Sequence, residues 1–114
     1  MKIDHYRFGQ IDVEGHNYST DVIIFPGHVQ DRWRRQQGHQ LAPEDLKTVL
    51  AEKPDVLIVG TGYYGRMQVP EATLDSLRNA GVEVRTEKTE KAVAAFNRLQ
   101  REYASIVAAL HLTC

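Results

Sequence analysis

The run Val56-Leu57-Ile58-Val59 is apolar without alternation, and Gly60-Thr61-Gly62 follows it directly. A strand with one wet face alternates, whereas one buried on both faces does not. This segment therefore reads as a central strand that needs cover above and below. Its flanks carry that cover. Upstream, Pro43 suits a first helical position, because its missing N–H would be unpaired there anyway. Glu44 and Asp45 favour the positive end of the helix dipole. Leu46, Val49 and Leu50 give an apolar stripe, and Pro54 closes the segment.

Downstream, a second helix is predicted from Pro70 to Ala80, with Leu74 and Leu77 on its buried side and Gly81 as its left-handed cap. Val82 to Thr86 reads as a short strand, completing a βαβ unit whose crossover should be right-handed. A third helix is predicted from about Glu90 to Arg101, capped by Thr89, with Ala92, Val93, Phe96 and Leu99 as its stripe. Ser105 to Leu112 reads either as more helix or as a final strand. The alternation of Ile106, Ala108, Leu110 and Leu112 favours the strand.

The N-terminal third is strand-like. Ile3 to Phe8 and Ile11 to Val13 are β-prone, and Glu14-Gly15-His16-Asn17 suits a hairpin turn. From Tyr18 to Phe25 the chain grows apolar, and Pro26-Gly27 ends that strand. A long polar connection, Gly27 to Leu41, holds Arg32, Trp33, Arg34, Arg35 and His39, with Trp33 expected to pack down as an anchor. The class is α/β: a mixed sheet, N-terminal β-hairpin structure and three helices. A chain of 114 residues is sized for a single domain, 1–114.

Net charge is −1, from 14 basic and 15 acidic residues, which argues against a domain-wide nucleic-acid binder. No run approaches the ~18 apolar residues of a membrane span, and MKIDHYRFGQ lacks the apolar core of a secretory signal. Cys114 is the sole cysteine, which suits a reducing compartment; the expected location is cytoplasmic.

The loop Gly60-Thr61-Gly62-Tyr63-Tyr64-Gly65-Arg66 leaves the carboxyl end of a buried strand, where open α/β sheets bind ligands. Glycines allow backbone N–H groups to approach an anion, and Arg66 offers a bidentate donor. The same glycines equally serve turn geometry, and the Lys-Ser or Lys-Thr of a phosphate loop is absent. The Arg32, Arg34, Arg35 cluster around Trp33 reads as a solvated loop face over a buried anchor, or as a stacking-and-phosphate surface. His5, His16, His28, His39 and His111 form no H-x-x-x-H pair. His111 and Cys114 form H-x-x-C, which is two ligands short of a structural metal site. No metal and no cofactor is expected. A G-x-S-x-G elbow is absent, and Glu44-Asp45 is explained by helix-start electrostatics. Asn97, next to the buried-stripe Phe96, either bonds a neighbouring segment or points into a pocket.

The stretch VPEATLDSLRNAGVEVRTEKTEKAVAAFNRLQ, with AALHLTC at the end, resembles the adipogenesis-associated domain-containing protein and its bacterial relatives. Val69-Pro70, Leu77, Gly81-Val82, Val84-Arg85, Thr89-Glu90, Ala92-Val93, Phe96-Asn97, Leu99, His111 and Thr113-Cys114 carry the likeness, with Pro26-Gly27, Trp33, Gly60 and Gly62 in matching order upstream. The resemblance implies a three-layer fold with a mixed sheet and a final strand, and no catalytic mechanism. It also points to distant mitochondrial relatives that include a respiratory complex I assembly factor.

Two functions follow as expectations. The first is a non-enzymatic protein-binding or assembly module using exposed Trp33, Tyr63 and Tyr64. The second is a small anionic-ligand protein or enzyme using Gly60, Gly62, Tyr63, Tyr64, Arg66, Thr89 and Asn97, with His39 nearby.

Overall fold

Two hairpins in succession open the chain. In the computed structural model, which describes residues 1–114, β1 (Ile3–Arg7), β2 (Gln10–Val13) and β3 (His16–Tyr18) form an antiparallel three-stranded sheet. The second turn is only Glu14-Gly15, at φ 50° and 79°. Two left-handed residues give a tight turn whose twist matches its strands. Asn17, expected in the turn, pairs within β3 opposite Asp12.

The larger sheet runs β5 (Val29–Gln30), β4 (Val22–Ile24), β8 (Ile106–His111), β6 (Val56–Thr61), β7 (Glu83–Glu87). β6 is parallel to both β7 and β8, while β4 runs antiparallel to β8. Every residue of β8 is buried, so the terminal segment is a strand because only the middle of a sheet can absorb so apolar a run. The α1 helix (Lys47–Glu52) is preceded by a 3-10 turn, Pro43–Leu46; α2 spans Glu71–Asn79 and α3 spans Thr89–Leu99. Gly81 sits at φ 83° after α2, as a left-handed cap should.

The alternation of side chains along β6 splits the core in two. Val56 and Ile58 face Ala92, Phe96 and Leu99 of α3 together with Ile3, Ile11 and Val13 of the small sheet. Leu57 and Val59 face Leu77 of α2, Val49 of α1, and Trp33 and Leu41 of the long connection. The result is one three-layer α/β domain with α3 and the small sheet on one side and α1 and α2 on the other.

Three local expectations are corrected. Trp33 is the buried anchor its connection was expected to carry and not an exposed contact residue: it is 4% exposed and its Nε1 donates to the Asp45 carbonyl at 2.9 Å. On α2 the inner position beside Leu77 belongs to Thr73, whose hydroxyl donates to the Leu41 carbonyl, and Leu74 is only half-buried. Thr89 is not the cap of α3, a position held by Lys88; it is the first helical residue and fully buried.

Asn97 takes the bonding alternative. Its Oδ1 accepts from the Ile3 N–H at 3.0 Å and its Nδ2 donates to the Ile3 carbonyl at 2.8 Å, so the side-chain amide stands in for a neighbouring strand. Asn97→Ala leaves two half-buried backbone groups unpaired and is expected to cost about 2 kcal/mol, read as a lower urea midpoint at unchanged slope. An unchanged midpoint would show that water replaces the amide without loss.

Candidate functional site

The carboxyl ends of β6 and β8 lie side by side, and five segments meet there. The Gly62–Arg66 loop leaves β6, Leu112–Cys114 leaves β8, and Asp21 precedes β4. Thr89 opens α3, and Arg35 arrives from the long connection.

The deepest layer is charged. Asp21 Oδ1 accepts from the Leu112 N–H at 2.8 Å, while its Oδ2 meets both Arg35 Nη2 and His111 Nδ1, each at 2.8 Å. An unprotonated Nδ1 at that distance would set two lone pairs against each other, so the network assigns the proton to Nδ1 and leaves Nε2 as the free ring nitrogen. Arg35 Nη2 lies 3.1 Å from Nδ1, and both groups donate to the same carboxylate oxygen. Arg35 Nε donates to the Gly38 carbonyl at 3.0 Å, and the guanidinium lies 4.8 Å over the Trp33 ring. The Arg35 and His111 side chains are 5% and 6% exposed, and that of Asp21 15%. Burial pushes the Asp21 carboxyl upward, but the hydrogen bonds from His111, the Leu112 amide and Arg35 prevail and hold it below the usual carboxylate range.

A second layer ties the glycine loop to this cluster. The Thr89 hydroxyl accepts from the Gly62 N–H at 2.9 Å and donates to the His111 carbonyl at 2.6 Å. Of the two readings of the loop, this favours turn geometry over a ligand cradle. The amides of Tyr63, Gly65, Arg66 and Met67 donate to the carbonyls of Thr113, Gly62, Cys114 and Thr61. With Gly62 they make five of the six N–H groups from Gly62 to Met67 engaged inside the chain, which leaves no nest for an anion. Gly60 lies within β6, where a Cβ would stand 2.8 Å from both Leu110 Cδ2 and Thr89 Oγ1. Its role is to let α3 close onto the sheet.

The outer layer is aromatic. Tyr63 (43% exposed), Tyr64 (58%) and Phe8 (49%) are the large apolar side chains left at the surface. They pack on one another, with centroids 5.1 Å apart for Tyr63–Tyr64, 5.7 Å for Phe8–Tyr63 and 6.1 Å for Phe8–Tyr64. Tyr6 joins at 6.5 Å from Tyr63; its hydroxyl donates to the Leu112 carbonyl, and burial pushes its phenol up to about 12. Arg66 lies 5.8 Å over the Tyr64 ring, and the Lys88 side chain runs past Gly65.

Gly60, Gly62, Tyr63, Tyr64, Arg66 and Thr89 are thus gathered at one place, while Asn97 and Trp33 hold other parts of the fold. His39, exposed, sets its ring 5.8 Å from that of His111. No three His, Cys, Asp or Glu side chains converge in a way that could hold a metal ion. Sequence reading missed Asp21, Arg35 and Phe8 as members of the site. Arg35 stood in a basic run read as solvated, and Phe8 is the apolar residue at a turn, next to Gly9 at φ 77°. A large aromatic at a hairpin turn is the one local signal that pointed outward.

These features define a class: a small α/β domain whose parallel strand ends carry a buried acid–imidazole–guanidinium cluster beneath an exposed aromatic loop. The chain belongs to the family described as protein of unknown function (DUF498/DUF598), whose model matches residues 3–111. It is similar over its whole length to a conserved hypothetical protein from Pyrococcus horikoshii OT3, with 31% identity, full coverage of both chains and a TM-score of 0.83. A crystal structure described as an outer membrane protein from Bartonella henselae is 26% identical, covering 98% of this chain and 94% of that one, with a TM-score of 0.82. A Bordetella pertussis protein described as a Mth938-like domain shares the fold at 24% identity and a TM-score of 0.79, covering 97% of this chain and 85% of that one. No helix of this chain is long and apolar enough to cross a membrane.

Proposed function

We propose that this chain is a non-enzymatic protein-binding module of the cytoplasm, and that its contact surface is the aromatic patch of Phe8, Tyr63 and Tyr64. The carrying observation is that three large aromatic side chains, from segments far apart in sequence, are exposed and packed together. Aromatic residues of this kind are the usual anchors of interfaces. The loop that bears two of them is held by internal hydrogen bonds, so little ordering cost would accompany association. Arg66 and Lys88 at the rim suit a polypeptide segment that offers an aliphatic side chain to the rings and a carboxylate to the cations. The assembly role implied by the adipogenesis-associated resemblance agrees with this reading. An anionic ligand on Arg66 gains no support from a loop whose amides are already engaged.

The test compares wild type with a Tyr63→Ala/Tyr64→Ala variant in capture from host lysate, followed by titration of the partner so identified. Loss of about 2 kcal/mol or more per anchor weakens binding by roughly 700-fold or more for the pair, while Tm stays nearly constant because both rings are already wet. A partner profile that is the same for both proteins would refute the patch.

A further inference from the structure

The geometry points to a second, internal site: a place for one small oxyanion of carboxylate or hydrogen-carbonate type, held between Arg35 and His111 at the carboxyl ends of β6 and β8. It is independent of the aromatic patch and of Arg66. The observation behind it is a pair of orphans. Arg35 Nη1 and His111 Nε2 are buried and have no hydrogen-bond partner, on side chains that are only 5% and 6% exposed. Unpaired buried nitrogens of this kind are uncommon in folded chains and call for a partner. The two belong to groups already 3.1 Å apart at Nη2 and Nδ1, so one guanidinium and one imidazole ring separate them.

The chemistry of the donors sets the class of ligand. Nη1 only donates, so what meets it must present a lone pair. Nδ1 is committed to Asp21, so Nε2 either accepts a proton from the ligand or, when the ring is charged, donates one. An oxyanion sharing one proton with the imidazole satisfies both nitrogens in either state. The Asp21 carboxylate already balances the guanidinium, so the ligand's charge is met by the imidazole ring once that ring carries the shared proton.

Access runs through the Gln36–Gln40 turn, all of whose residues are exposed. The turn is held over the cluster by the Arg35–Gly38 hydrogen bond, the Gln36 N–H on Asp45, and the Gln68 N–H on the His39 carbonyl. A surface groove of about 470 Å³, with Trp33, Arg34, Arg35 and Gln36 in its wall, lies beside it. A few hydrogen bonds of an exposed turn open at small cost, so a small solute can enter without unfolding the domain.

The experiment titrates the intact, histidine-¹⁵N-labelled chain with sodium acetate, bicarbonate and inorganic phosphate, using chloride as the ionic-strength control. The readouts are the His111 ring nitrogens by NMR and Tm. The expected result is that acetate or bicarbonate shifts His111 Nε2 saturably while Nδ1 stays bonded to Asp21. At a hundredfold excess over Kd it raises Tm by about 5 °C or more. Whichever of acetate and bicarbonate succeeds identifies the head group, and a response to phosphate alone overturns the assignment. Arg35→Gln abolishes the response if it folds, and the wild-type titration stands on its own if it does not. An unmoved Nε2 in all three anions overturns the proposal, as does a Tm rise whose spectral changes fall only on Arg66 and Lys88.

Discussion

Asp21→Ala will destabilise the chain by about 3–5 kcal/mol, since it removes the only carboxylate beside a buried guanidinium and imidazole. Three hydrogen bonds end on that carboxylate, and Arg35, whose side chain is 5% exposed, has no water to turn to. By contrast, removing Arg78 from its pair with Glu71, where both side chains are more than half exposed, should change stability by under ~1 kcal/mol. Asp21→Asn separates charge from shape, because its side-chain oxygen can still accept from the Leu112 N–H. The pH dependence then has a definite sign. The Asp21 carboxyl is held lower in the folded chain than in the unfolded one, so its contribution is complete above the ordinary carboxylate pKa, near ~4, and is lost as pH falls through the lower folded value. Urea unfolding at pH 7 and near pH 3 checks this: wild type should lose more stability on acidification than Asp21→Asn does. Equal losses would mean that the carboxylate is not what the cluster depends on.

The sequence shows the frame of the molecule more plainly than its site, and the reason is range. Val56–Val59 announces a doubly covered strand by itself, and Gly81 announces the end of α2 by a preference for left-handed φ that needs no tertiary context. Thr89 shows how a correct local rule is overridden. A Thr before a helical stripe is a good cap, yet here its hydroxyl bridges the Gly62 amide and the His111 carbonyl, both of them buried. The charged cluster lies beyond any local rule. Arg35 and His111 are 76 positions apart and Asp21 and His111 are 90 apart. Nothing in the run Arg32-Trp33-Arg34-Arg35 distinguishes the one arginine that turns inward. It does so because Trp33 packs into the core and carries the connection down with it, which brings Arg35 within reach of the start of β4. Phe8, Tyr63 and Tyr64 meet for the same topological reason: the β1–β2 turn and the loop after β6 both rest on Leu112–Cys114, through Gly9 and Tyr63 amides.

Gly62→Ala tests how tightly that second layer is built, and the expected cost is on the order of 3 kcal/mol or more. Two independent penalties combine. At φ 111° an L side chain is strained wherever it points, by roughly 1–3 kcal/mol. The added Cβ would also stand 2.5 Å from the Cys114 carbonyl carbon and 2.9 Å from His111 Cδ2, so backbone must move rather than a flexible side chain, for about another 1–3 kcal/mol. The neighbouring glycines calibrate the claim. Gly65 sits at φ 73°, and its Cβ would meet only the mobile Lys88 chain, at 3.1 Å; Gly65→Ala should cost about 1 kcal/mol. Gly60 has no unusual φ, but its Cβ would press on Leu110 and on the first residue of α3, and its variant should fall between the two. Thermal unfolding of the three variants should therefore rank Gly62 as the most costly, then Gly60, then Gly65. Gly62→Ala should also weaken partner capture, because displacing Gly62 moves Tyr63 and Tyr64 with it, whereas Gly65→Ala should leave capture intact. If Gly62→Ala and Gly65→Ala melt together, the loop does not rest on the strand ends as closely as its hydrogen bonds require, and the rigid presentation of the aromatic patch falls with it.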